Sequence, residues 1–193
     1  MKFQIFAIAL LFVLAACDST ETNGDEGRVI GDGSGSCDIS GETIDDDLTI
    51  QRDATCTLTN VTINGNVFMR RGSMLTASGI VVDGNIQAEG ALSLAVSSDS
   101  RIESDIQFED GGDVDVRDTY IGGNLQLEDN VGTLTARNNT IGGNLQAFDN
   151  GGGPFTYSDN VIDGNLQCTG NNPAPSGEGN VVDGNKEDQC SGL

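Results

Sequence analysis

The sequence predicts an all-β fold, a single-stranded parallel β-helix of about eight coils of roughly 20 residues. Two observations predict it. The segment Ile121-Gly122-Gly123-Asn124-Leu125-Gln126 recurs at Ile141 to Gln146, with related copies at Ile63 to Phe68, Val82 to Gln87, Ile102 to Gln107 and Ile162 to Gln167. Within each copy the apolar residues alternate with period 2, the signature of a strand with one face inward. Setting the copies on the residue before Asn gives anchors at Asp46, Gly65, Gly84, Ser104, Gly123, Gly143, Gly164 and Gly184, at intervals of 19 to 21 residues. A period of that size, repeated eight times, means a solenoid.

The N-terminus reads as an address. Lys2 precedes an apolar run from Phe3 to Leu14, which is too short to cross a membrane and suits a signal-peptide core. It ends in Leu14-Ala15-Ala16-Cys17, which resembles the bacterial lipobox. The resemblance implies cleavage before Cys17, acylation of that cysteine and a lipid-anchored place in the cell envelope. Asp18 resembles the residue that retains enteric lipoproteins in the inner membrane. The expected organisation is therefore a signal peptide over 1–16, an acylated Cys17 with a flexible tether over 17–36, and a β-helix domain over 37–193. The tether is rich in Gly, Ser, Thr, Asp and Glu, with Val29-Ile30 as its one apolar pair. Such a composition buries too little surface to offset its ordering entropy.

Each coil then has the same inward positions. Two before the anchor stand Ile44, Ile63, Val82, Ile102, Ile121, Ile141, Ile162 and Val182, all β-branched. Two after it stand Leu48, Val67, Ile86, Ile106, Leu125, Leu145 and Leu166, with Lys186 ending the run. Nine and seven before it come pairs such as Cys56/Leu58, Leu134/Ala136 and Phe155/Tyr157. The leucine-rich pattern L-x-x-L-x-L is missing, and the columns fit about three short strands per coil. Eight coils at strand spacing give a rod of about 40 Å. Parallel crossovers favour the right-handed form. Five before the anchor, Gly41, Asn60, Gly79, Asp99, Asp118, Asn138, Asp159 and Gly179 mark a corner of left-handed backbone. Asn66, Asn85, Asn124, Asn144, Asn165 and Asn185 form a column expected to stack as an amide ladder.

The register also pairs the cysteines. Cys37 and Cys56 share a column in adjacent coils, which places their Cα atoms about 4.8 Å apart, within disulfide reach. Cys168 and Cys190 fall in adjacent coils near the other end. One disulfide at each end of the solenoid is expected, consistent with an oxidising compartment.

Charge and composition exclude several functions. The 193 residues hold 9 Lys+Arg against 30 Asp+Glu, a formal charge of −21, with no His and no Trp. A chain without histidine has no Ser-His-Asp triad and no His metal site. Its acidity disfavours nucleic-acid partners. Acids concentrate at Glu89, Glu109 and Glu128 and at Asp110, Asp129 and Asp149. Glu109, Asp110, Glu128, Asp129 and Asp149 are the candidate ligands for a Ca²⁺ stack, against a plainer reading as a solvated acidic face. Parallel β-helices resemble polysaccharide lyases and glycosidases, which carry long loops around a cleft. Here every coil stays close to the mean length, and the paired carboxylates are confined to Asp45-Asp46-Asp47 and the acidic edge. Arg117 and Arg137 stack at another corner beside Asp118. No enzyme is expected. The column Asp38, Thr57, Thr76, Val96, Asp115, Thr135, Thr156, Ser176 suggests a broken ice-binding array. Gln87, Gln107, Gln126, Gln146 and Gln167 suggest an exposed amide ladder able to meet a glycan or an envelope protein. The segment from Gly164 through Cys190 is similar to the endings of exported bacterial repeat proteins, a resemblance that implies a C-terminal cap and no activity. The expected function is a rigid, non-catalytic surface for binding or structural display, held at the membrane by lipid. The alternatives are a cation-stabilised or ice- or glycan-binding solenoid and a carbohydrate-active lyase or hydrolase.

Overall fold

The structure, a computed structural model, describes residues 27–30 and 35–193. The signal-peptide segment, Cys17 and Asp18 lie outside the described residues. Within them every regular element is a strand, and the strands stack into three parallel sheets. The first sheet has nine strands and runs from Arg28–Ile30 and Leu48–Ile50 through Ile106–Glu109 to Leu166–Thr169 and Lys186–Asp188. The second has seven, from Ser36–Ser40 to Phe155–Ser158. The third has eight, from Thr43–Ile44 to Val181–Val182. Each inner coil contributes one strand to each sheet and the end coils fewer, so the body is a β-solenoid of about eight turns.

The core is the line of inward side chains predicted from period 2. Leu48, Val67, Ile86, Ile106, Leu125, Leu145 and Leu166 are all fully buried. Because the sheets are parallel and in register, each of these residues sits on its counterpart one coil away. The buried apolar column is thus continuous along the rod, and it supplies the main driving force for folding.

Two boundaries differ from expectation. Arg28–Ile30, assigned by composition to the tether, instead form the first strand of the first sheet, with Ile30 opposite Ile50. Three residues suffice because Ile30 is almost fully buried and Arg28 pairs with Glu42 at 3.0 Å. Ser36 likewise opens the second sheet. The other difference lies in the Thr column. Val96 is buried opposite Ala77 and Val116, and Ala95 takes the outward position between Thr76 and Asp115. The corner of that coil has an extra residue, and Ser98 and Asp99 are both left-handed (φ 62° and 58°). A one-residue insertion shifts a strand's faces relative to a count taken across it.

The motif Gly-Asn has a steric cause. A Cβ on Gly143 would lie 2.5 Å from Oδ1 of Asn124, and one on Gly164 would lie 2.4 Å from Oδ1 of Asn144. The carbonyl oxygen of one coil's Asn occupies the space over the next coil's Gly. That oxygen accepts the backbone N–H of the following coil's Asx at 2.6–3.0 Å along the whole series Asp47, Asn66, Asn85, Asp105, Asn124, Asn144, Asn165, Asn185. The essential element is an acceptor, which is why Asp47 and Asp105 join the ladder as readily as the amides.

Both expected disulfides form, Cys37–Cys56 between register partners and Cys168–Cys190 with Cys190 two residues past Asp188, the register partner of Cys168. Cys37–Cys56 spans 4.6 Å between Cα atoms and Cys168–Cys190 spans 5.3 Å. At the C-terminal end Lys186 replaces the core leucine, and its Nζ turns to donate to the carbonyl of Asn180 at 3.0 Å. A charge at the end of an apolar column discourages another coil from stacking there.

Candidate binding surface

The outward face of the first sheet has two columns. One reads Thr49, Phe68, Gln87, Gln107, Gln126, Gln146, Gln167 and Glu187. The glutamines are half-buried, and they bond to each other. Nε2 donates to the next Oε1 at 3.2 Å (Gln87 to Gln107), 2.8 Å (Gln107 to Gln126), 3.2 Å (Gln126 to Gln146) and 3.0 Å (Gln146 to Gln167). Gln167 ends the chain on Glu187 at 2.8 Å. Each amide from Gln107 to Gln167 spends one N–H and one lone pair on its neighbours and retains one of each for a ligand, while Gln87 at the head spends only an N–H. The expected amide ladder is therefore present as a fixed track.

The second column reads Glu89, Glu109, Glu128, Phe148 and Thr169. Partial burial raises the carboxyl of Glu109 above its ordinary value, and the charges of Glu128, Asp110, Glu89 and Asp129 push it the same way. Asp110, Asp129 and Asp149 do not extend this column. They sit in the following turn with φ of 52°, 53° and 53°, in the positions held by Gly90 and Gly170 in other coils (φ 69° and 68°). Left-handed backbone selects Gly, Asn and Asp, which accounts for these three aspartates without a metal. Among the described residues no group of three or more His, Cys, Asp or Glu is placed to hold a metal ion. Of the residues expected to form a cation stack, Glu109 and Glu128 project from adjoining strands, and Asp110, Asp129 and Asp149 stand in the turn that follows.

Sequence columns missed a cluster of arginines. Arg52, Arg70 and Arg71 line one hollow of about 400 Å³ with Gln51, Met69 and Glu89. A second hollow of about 280 Å³ shares Met69, Arg70 and Glu89 and reaches Phe68, Gln87 and Gln107. Arg70 stands over the Phe68 ring at 5.8 Å, and the Arg71 side chain lies along the bend at Gly90. The signal was in the sequence: Arg52 and Arg71 are one repeat apart, 19 residues. Three of the remaining arginines are ion-paired. Arg28 pairs with Glu42, Arg117 with Asp115, and Arg101 with Glu103 while stacking on Tyr120 at 4.0 Å. Arg117 and Arg137 are register partners, as expected.

Two further ladders were also missed, and both are buried. Asn130, Asn150 and Asn171 stack at one corner, and Asn139, Asn160 and Asn180 at another. Each follows a left-handed residue, such as Asp149 before Asn150 and Asp159 before Asn160. Gln189 closes the first series, accepting from Asn171 and donating back to its carbonyl at 2.9 Å. Tyr157 is buried in the same half of the rod, and burial lifts its phenol far above the ordinary range.

Comparison with protein-family models, with curated proteins and with solved structures finds no match to this chain.

Proposed function

We propose that the chain is an acylated cell-envelope lipoprotein whose β-helix serves as a rigid, non-catalytic surface for binding or structural display. The observation that carries the reading is the hydrogen-bonded glutamine track of the first sheet. Its side chains are fixed by one another at coil spacing, so a ligand meets an ordered array and little rotamer entropy is lost on contact. Supporting it, the hollows on the body are built from side chains of successive coils and not from inserted loops. The resemblance of Leu14-Ala15-Ala16-Cys17 to a lipobox supports the anchor.

Two measurements test it. In cells fed labelled palmitate, the chain is expected to take up label and fractionate with membranes, and Cys17→Ala to lose both. An unlabelled, soluble wild-type chain removes the anchor from the reading. Purified protein incubated with envelope and plant polysaccharides is expected to release no reducing ends. Release that grows with time and enzyme concentration would move the chain to the carbohydrate-active class.

A further inference from the structure

The arginine corner keeps an excess of positive charge, with Glu89 as the one carboxylate lining the hollow of Arg52, Arg70 and Arg71. The chain carries 30 acidic residues, yet among the described residues the ion pairs are those of Arg28, Arg101 and Arg117. Arg52 and Arg71 lie in successive turns, held together by Asp53 N donating to the Arg71 carbonyl at 3.2 Å. Two guanidinium groups one coil apart repel, and Arg70 adds a third to the same hollow. An anion seated among them relieves that repulsion, and a carboxylate matches the planar donor fork of arginine.

The surroundings limit what carries this anion. The hollow opens toward Phe68 and the first glutamines, where an apolar ring is followed by paired amide donors and acceptors. Such a surface suits a sugar, whose ring faces are apolar and whose hydroxyls both donate and accept. Glu89 lines both hollows, Glu109 lines the second, and Glu128 continues their column. A ligand charged on every residue is therefore repelled, and a ligand with one terminal charge is not.

Resting on the reading of this face as a binding surface, we propose that Arg52, Arg70 and Arg71 hold the carboxylate of a single terminal uronic acid, with the neutral sugars of the same oligosaccharide lying over Phe68 toward Gln87 and Gln107. The test is a titration of the isotope-labelled mature chain, following arginine Nε–H and glutamine side-chain amide signals. The probes are cellobiouronic acid, cellobiose and trigalacturonic acid, with anionic phospholipid vesicles as a further arm. Cellobiouronic acid is expected to saturate, shifting both sets of signals, with at least ten-fold higher affinity than cellobiose. The double variant Arg52→Gln/Arg71→Gln is expected to lose at least ten-fold while its melting temperature holds, since both side chains are exposed. Equal response to cellobiose, tighter binding of trigalacturonic acid, an undiminished double variant or no saturable shift each overturns the site. Vesicles that shift the arginines when cellobiouronic acid does not would assign the corner to lipid headgroups and overturn it too. Cleavage of the disaccharide appears separately as new free-sugar signals and refutes the non-catalytic reading, not the site.

Discussion

Asn160 is fully buried, and its side chain is the centre of four hydrogen bonds. Nδ2 donates to the Ala136 carbonyl at 2.9 Å and to Oδ1 of Asn180 at 3.0 Å. Oδ1 accepts the backbone N–H and the Nδ2 of Asn139, at 3.1 and 3.0 Å. Asn160→Ala removes all four and leaves the partners enclosed where water does not reach them. At about 1 kcal/mol per bond the loss is roughly 4 kcal/mol. For a chain of this size that corresponds to a fall in Tm of about 8–16 °C. The matched control is Asn124→Ala, on the half-exposed ladder. It loses the acceptor for Asn144 N at 2.8 Å and one bond to Asp105, and water can replace both. Its expected cost is under about 1 kcal/mol. Urea unfolding followed by circular dichroism gives both values, and the slope reports whether the late coils separate from the early ones. A cost for Asn160→Ala no larger than that of Asn124→Ala would refute the claim that the buried ladders bear more of the stability than the exposed one.

Other outcomes follow from the same geometry. Cys168→Ser with Cys190→Ser opens a closure of 22 residues and should cost about 3 kcal/mol, read without reductant as a urea midpoint below that of oxidised wild type and above that of reduced wild type, which also loses Cys37–Cys56. Asp129→Gly should leave Tm within a degree or two, whereas Asp129→Val should lower it clearly, because φ is 53° there. Equal effects would separate the Asp from the turn. The Glu109 carboxyl is raised above its ordinary 4.5, so its stability contribution is present at acid pH and is lost as pH rises through the folded value. Glu109→Gln should therefore match wild type near pH 3.5 and be at least as stable at pH 7; a lower Tm for the variant at pH 7 contradicts the repulsion. Calcium against chelator should move Tm by less than about 1 °C. A larger, saturable rise would restore a cation to the Glu109–Glu128 edge.

Legibility differed by position within the coil. The columns beside the Gly-Asn turn could be counted because that turn has constant length, and there the sequence located Ile63, Leu125, Leu145 and the Asn66–Asn185 ladder. Counting failed where corner length varies. The connection from left-handed corner to second-sheet core lengthens from Asp53–Cys56 to Asp149–Phe155. The residues after that corner keep a fixed place in the later coils, Asn130, Asn150 and Asn171 each seven after the anchor, and were missed because the count stopped at the left-handed position before them. The insertion at Ser98 moved Ala95 into the place assigned to Val96. Arg52 and Arg71 were passed over for a further reason: exposed turn residues carry no hydrophobic period, so their 19-residue spacing gains meaning only once the coils are stacked. The tether was misjudged at Arg28–Ile30 because composition scores an isolated apolar pair as too little, while an existing sheet edge needs little to add a strand.

The internal ladders and the surface track stem from one property. Parallel stacking places the same position of each coil at a constant distance along the axis. An amide in that column meets another amide with donor facing acceptor, which satisfies it. A carboxylate or guanidinium in that column meets its own kind and repels. Polar columns of a solenoid thus divide into self-satisfied ones and frustrated ones. The asparagine and glutamine series belong to the first kind and make the body rigid. The glutamates at 89, 109 and 128, the arginines at 52 and 71, and the pair Arg117 and Arg137, where Asp115 offsets one charge, belong to the second. Protonation or solvent can relieve the glutamates, as the raised Glu109 carboxyl indicates. Arginine has no neutral form near neutral pH. Its repulsion is relieved by separation, by solvent or by an anion, and at this corner the backbone fixes the turns one coil apart. The positive corner, not the larger acidic edge, is therefore where this surface gains most from a ligand.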